Sequence, residues 1–179
     1  MKHKFLLFCI FSGARLFIFL QKQYSYLFFF NEQSHLFLNG FDYFKEALTT
    51  PGGFLNWLSD FLIQFFIIPY AGSSITAIIL TITAYFLGRT IQQLSGSATW
   101  AFTAWIPMIA QMWITTYTNS NFVGTLAMLA MSIATWVCLH ISSSRFRLLY
   151  EGILGILLIW LAGSIGILFT SWSLLYEVC

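Results

Sequence analysis

The feature that most constrains this chain is the spacing of its charges. Residues 61–88, 90–144 and 152–176 contain no Asp, Glu, Lys or Arg, giving charge-free tracts of 28, 55 and 25 residues. A helix needs about 20 apolar residues to cross the hydrocarbon core of a bilayer. A water-soluble domain carries about 25 % charged residues and cannot accommodate such tracts. Here 8 % of the 179 residues are charged, 59 % are apolar and 20 % are aromatic. That balance excludes a soluble globule, a disordered chain and a nucleic-acid binder working through a basic face. Lipid is therefore the expected solvent for most of the chain. The expected class is all-α: an integral membrane helical bundle of about five transmembrane helices in a single membrane domain, 1–179.

The start, Met1-Lys2-His3-Lys4 followed by FLLFCIF, has the cationic opening of a signal peptide. Its apolar run resumes with LFIFL after Arg15, so a retained signal-anchor helix over residues 1–30 is expected. Ser12, Arg15 and Lys22 share one face of it. Residues 31–69 form a periplasmic or interfacial segment holding Glu32, Asp42, Lys45, Glu46 and Asp60. Glu32, His35, Asn39, Asp42 and Glu46 fall on one helical face, opposite Phe37, Phe41, Phe44 and Leu48. Thr50-Pro51 reads as an N-cap and first residue of a second amphipathic helix with a polar stripe of Asn56, Ser59, Asp60 and Gln64. Both pieces suit helices lying in the membrane interface. Pro69 interrupts the chain. Further spans are expected at 70–88, 100–118 with Pro107 inside it, 122–141 and 148–170, with loops at 89–99, 119–121 and 142–147.

Orientation follows from the cations. Lys2, Lys4, Arg89, Arg145 and Arg147 fall on one side of this topology, against Lys22 and Lys45 on the other. Cytoplasmic loops carry the excess of Lys and Arg, which places the N-terminus in the cytoplasm and the protein in a cell inner membrane.

The chemistry is sparse. Cys9, Cys138 and Cys179 are an odd number, far apart, and make neither a disulfide framework nor a zinc site. No HExxH, GxSxG or phosphate loop is present, and neither metal nor cofactor is expected. Gly152, Gly155, Gly163 and Gly166 share a face of the last span, where small residues let helices approach closely, within this chain or in a homo- or hetero-oligomer. Gln111, Thr115 and Thr118 share a face near Pro107 and suit either a polar cavity or an interhelical hydrogen bond. Arg15 can hold an anionic group such as a lipid phosphate, or snorkel. Among the outer carboxylates Glu32, Asp42, Glu46 and Asp60, any can serve as a general base or simply face water, and Asp42 and Glu46 are spaced to share an ion. Pro51-Gly52-Gly53 can open an anion-binding helix end or form a tight connection.

The stretch NEQSHLFLNGFDYF and PGGFLNWLSDFLIQFF, within residues 26–66, resembles a family of uncharacterised multi-pass membrane proteins from Bacteroidota. Its marks are Glu32-Gln33, Leu36-Phe37, Tyr43-Phe44, Pro51-Gly52-Gly53 and Phe61-Leu62 with Gln64-Phe65-Phe66. Members of that family are longer, so the resemblance implies that this chain is the N-terminal part of a larger protein. It implies no activity. The layout of helix, acidic outer segment and hydrophobic spans is also similar to membrane glycosyltransferases that use lipid-linked sugars. That analogy implies Asp42 or Glu32 as base and Arg15 as phosphate contact. The alternative is a non-catalytic transporter part or membrane-complex subunit.

Overall fold

The computed structural model describes residues 2–34, 37, 40–116, 122–163, 166–167 and 170–171, and in these the chain is helical with no strand. Seven α-helices follow in order: α1 (Lys2–Ser34), α2 (Phe41–Thr49), α3 (Gly53–Ile63), α4 (Ala71–Ser95), α5 (Trp105–Thr115), α6 (Val123–His140) and α7 (Ser144–Ala162). Short 3-10 turns at Gln64–Ile67 and Trp100–Ala104 lead into α4 and α5.

Among the described residues, three helices are long and apolar enough to cross a membrane: Lys4–Ser34, Ala71–Ser95 and Val123–His140. The all-helical membrane class is thus supported, with three spans where about five were expected. The span expected at 100–118 divides into the 3-10 turn and an α5 of 11 residues. Alone, α5 rises about 16 Å, half the hydrocarbon thickness. Pro107 is in its first turn, where a missing N–H costs nothing, so it does not kink a longer helix. The span expected at 148–170 starts earlier and ends earlier, as α7, and carries Arg145, Arg147 and Glu151 in its first turns. The expected loop after Gly88 is helical as far as Ser95. Thr50 does not cap α3. It closes α2, its N–H and hydroxyl both donating to the Ala47 carbonyl, while Gly52, at φ 80, is the N-cap of α3. The single polar face drawn from Glu32 to Glu46 is broken, because α1 ends at Ser34 and α2 starts after Gly40; His35 and Asn39 lie outside the described residues.

Helices α1 and α4 run antiparallel in close contact. Phe5 stacks on Tyr85 and Gln21 Oε1 accepts a 2.7 Å hydrogen bond from Ser73 Oγ. Glycine sets the approach: a Cβ at Gly13 would strike Thr81, one at Gly72 would lie 2.7 Å from Phe28 Cγ, and one at Gly88 would strike the Phe5 ring and lie 2.9 Å from the Ala101 carbonyl. Helices α4 and α6 run parallel, joined by Phe86 against Trp136 and by Gln93 Nε2 donating to the Leu139 carbonyl at 2.8 Å. Helix α7 returns antiparallel along α6, with Leu158 against Ala134, and reaches the α2–α3 turn. There the Gly52 N–H donates to the Trp160 carbonyl at 2.8 Å, and the Trp160 indole donates to the Leu48 carbonyl at 3.1 Å. The largest core cluster, including Leu55, Ile63, Phe66, Phe122 and Leu126, seals the end of the bundle beneath α3.

Candidate functional site

Glu32 lies half-buried in the last turn of α1, and Asp42 is exposed in the first turn of α2, where a carboxylate meets the positive end of the helix dipole. Glu46 is also exposed. Asp60, on α3, is tied to α2: the Tyr43 hydroxyl donates to its Oδ2 at 3.4 Å. Burial first, then the Asp60 charge, pushes the Tyr43 phenol above its ordinary value. No group of three His, Cys, Asp or Glu that could hold a metal occurs among the described residues. Around Asp60 the layer is aromatic: Trp57 stacks on Phe61 and meets Phe37, Phe44 and Phe54.

Arg15 is exposed on α1 with its guanidinium 4.4 Å above the Phe11 ring. This is a cation–π contact of the kind that steadies a long cationic side chain. Arg15 and Glu32 stand on one unbroken helix, seventeen residues apart, which separates them by about 26 Å along its axis. The structure therefore does not bring the two together around one substrate.

Gln111 and Thr115 have diverged. Gln111 is buried and its Nε2 donates to Thr125 Oγ1 of α6 at 3.2 Å, whereas the Thr115 hydroxyl bonds back to the Met112 carbonyl. Of the two readings of Gln111, the interhelical bond is the one present; Thr118 lies outside the described residues. The four glycines do not form one helical stripe. Helix α7 ends at Ala162, and Gly163 takes φ 68 beyond it. Gly166 lies against the Ile159 backbone, Gly155 against Thr170, and Gly152 is open, with nothing within 4 Å of a Cβ. Pro51-Gly52-Gly53 forms the tight α2–α3 connection, pressed against α7 at Gly163.

The sequence reading missed Glu151. It is buried on α7, and the Cys138 thiol of α6 donates to its Oε1 at 2.9 Å. One turn of α6 away, the Ala134 carbonyl accepts from the Tyr150 hydroxyl at 3.4 Å. The signal was available, since Glu151 is the single acid between Asp60 and Glu177. A cavity of about 610 Å³ opens between α4, α5 and α6, lined by Met108, Met128 and Met131 with Thr83, Thr90, Ser132 and Thr135. The hydroxyls of these last four bond back to carbonyls of their own helices, so this cavity presents an apolar wall.

No curated protein and no solved structure matches this chain. One family model does, and it spans residues 2–179, well beyond the stretch that carried the resemblance. The chain therefore belongs to a family of unknown function, DUF6057.

Proposed function

We propose that this protein is a five-crossing component of a bacterial inner membrane, N-terminus cytoplasmic, that acts as a non-catalytic subunit of a membrane assembly. The resemblance over residues 26–66 supports a source among the Bacteroidota. The charge layout supports the orientation. Lys4, Arg89, Arg145 and Arg147 gather at the bundle end where Phe5 covers Gly88, and Glu32, Asp42, Glu46 and Asp60 at the opposite end. Two further crossings complete the three long spans. From Ala101, packed on Phe5 at one end, to Phe122, packed on Phe66 at the other, the chain passes a 3-10 turn and α5. These rise together about 26 Å, close to the hydrocarbon thickness. Helix α7 spans the same distance in the same direction as α5, with its Glu151 turned onto Cys138 and away from lipid.

The observation that carries the functional reading is that polar side chains inside the bundle bond across helices: Gln21 with Ser73, Gln111 with Thr125, Cys138 with Glu151. They hold helices in register instead of converging on a substrate. The outward face of α7, with Ile153, Ile156 and Leu157 exposed beside open Gly152, is the surface we assign to the partner subunit or second copy. The enzyme reading, a glycosyltransferase-like activity on lipid-linked sugars, rests on Asp42, exposed at the membrane face. Alanine at Asp42 and Glu32 is expected to leave the native cellular phenotype intact. Gly152→Leu is expected to reduce the assembled species recovered by cross-linking. Loss of phenotype in Asp42→Ala at normal protein levels replaces the subunit reading with the enzyme reading.

A further inference from the structure

At the basic end of the bundle, on one flank of the α4–α6 seam, a recess of about 250 Å³ is lined by Arg89, Gln92, Gln93, Trp136 and His140. Among the described residues, its cation has no acidic partner. Arg89 is half-buried, and Arg89 Nη1 donates to the neutral Gln92 Oε1 at 3.1 Å. No Asp or Glu occurs between Asp60 and Glu151 in the sequence. Glu151 lies across α6 from the recess, because its partner Cys138 is on the opposite side of that helix from Trp136 and His140. The rest of the recess is held by contacts within α6 and between α4 and α6. Gln93 Nε2 bonds the Leu139 carbonyl and ties α4 to α6. His140 Nδ1 lies 2.8 Å from the Trp136 carbonyl, which can only accept, so Nδ1 carries the hydrogen. Its ring packs on the Trp136 indole at 4.3 Å, which in turn meets Phe86. An indole at a helix end is suited to the headgroup level of a bilayer.

We propose that this recess binds the phosphate of an anionic membrane phospholipid, with Arg89 as its principal contact. A guanidinium has five N–H donors in a planar fork and one is committed to Gln92, which leaves a pair to grip phosphate oxygens bidentately. The Gln92 amide nitrogen adds a neutral donor beside it. Basic recesses between transmembrane helices on the cytoplasmic side commonly take phospholipid headgroups. The assignment stands whether the chain is a subunit or an enzyme, because it concerns neither α7 nor Asp42.

The test uses the full chain purified in detergent, exposed to phosphatidylglycerol or phosphatidylcholine, with retained lipid counted by native mass spectrometry. Wild-type protein is expected to retain phosphatidylglycerol in preference, and Arg89→Gln to lose about fivefold of that preference. Arg89→Lys keeps the charge without the fork and is expected to recover only part of it. Lys45→Gln, exposed on α2 at the opposite end of the bundle, is the control and leaves the preference unchanged. Should Arg89→Gln lose helix content, Arg89→Lys decides alone, and wild-type retention by it overturns the proposal. An unchanged preference in folded Arg89→Gln overturns it as well. So does Arg89-dependent retention of inorganic phosphate with no preference between the two lipids, which assigns the recess to a soluble anion.

Discussion

Replacing Gly72 with alanine tests the α1–α4 contact most directly. Gly72 is buried in the first turn of α4, and an added methyl would lie 2.7 Å from Phe28 Cγ and 2.8 Å from Phe28 Cβ. Non-bonded carbons settle at about 3.5–4.0 Å, so the shortfall is about 1 Å. It falls on the root of the Phe28 side chain, which cannot swing clear as the far end of a ring can. Either the helices separate or Phe28 leaves its rotamer and its edge contact with Phe66, at 5.2 Å between centroids. Overpacking of this kind costs about 1–3 kcal/mol. The better helix propensity of alanine returns about 0.5–1 kcal/mol. The net expectation is a loss of about 1–2 kcal/mol, or roughly 5- to 30-fold in the folded-to-unfolded ratio. The assay is reversible unfolding in mixed micelles, followed by circular dichroism as the denaturing detergent fraction rises. Gly152→Ala, where nothing lies within 4 Å, is the matched control and should stay within about 0.5 kcal/mol of wild type. Phe28→Leu combined with Gly72→Ala should lose less than the sum of the two single changes. Gly72→Ala as stable as wild type, or shifted no further than Gly152→Ala, refutes the claim that glycine sets this approach.

Other consequences can be measured in the same way. Tyr70 has φ 70 as the third residue of the Ile68–Ala71 turn, with Pro69 before it and the Ala71 N–H bonded to the Ile68 carbonyl. Type II turns favour glycine there, and Tyr70→Gly should stabilise the fold by up to about 1 kcal/mol in the micelle titration. A double-mutant cycle on Gln111→Leu and Thr125→Val should give a coupling of about 0.6 kcal/mol, and a value of zero would remove the α5–α6 bond from the account. The raised phenol of Tyr43 favours the folded α2–α3 layer in its neutral form. Its contribution is complete below about pH 10 and fades as pH climbs through the raised folded value. Asp60→Asn should lower the pH at which Tyr43 ionises, read as tyrosinate absorbance against Tyr43→Phe; an unchanged midpoint would contradict the pairing.

How much of this was legible in the sequence differs from helix to helix. Charge-free tracts located α4 and α6, whose starts fall within a residue of the expected 70 and 122. The end of α4 was hidden because Arg89, Gln92 and Gln93 read as a polar loop, yet they bond to each other and to α6 while remaining helical. The glycine pattern misled for a different reason. Four glycines at helical spacing in one tract suggested a stripe, but Gly163 turns to positive φ and ends α7. The glycines that do bring helices together, Gly13, Gly72 and Gly88, are shared between two distant tracts, and no period along one helix reveals a pairing between two. The carboxylates reversed in importance likewise. Charge density drew attention to residues 31–60, whereas the buried acid is solitary Glu151, whose meaning depends on which helix packs beside it.

That dependence bears on what fixes one packing of so apolar a chain. Lipid tails are as apolar as the helix surfaces, so bringing helices together within the bilayer gains little from the hydrophobic effect. Close approach and polar bonds must then decide both partner and register. The structure supplies a polar tie at successive seams: Gln21 to Ser73 for α1–α4, Gln93 to Leu139 for α4–α6, Gln111 to Thr125 for α5–α6, Cys138 to Glu151 for α6–α7. A slide of one turn, about 5.4 Å, would part every one of these pairs. At α1–α4 it would also move Phe28 and Phe5 off Gly72 and Gly88. The polar residues of the bundle that bond across helices are thus placed to specify one arrangement.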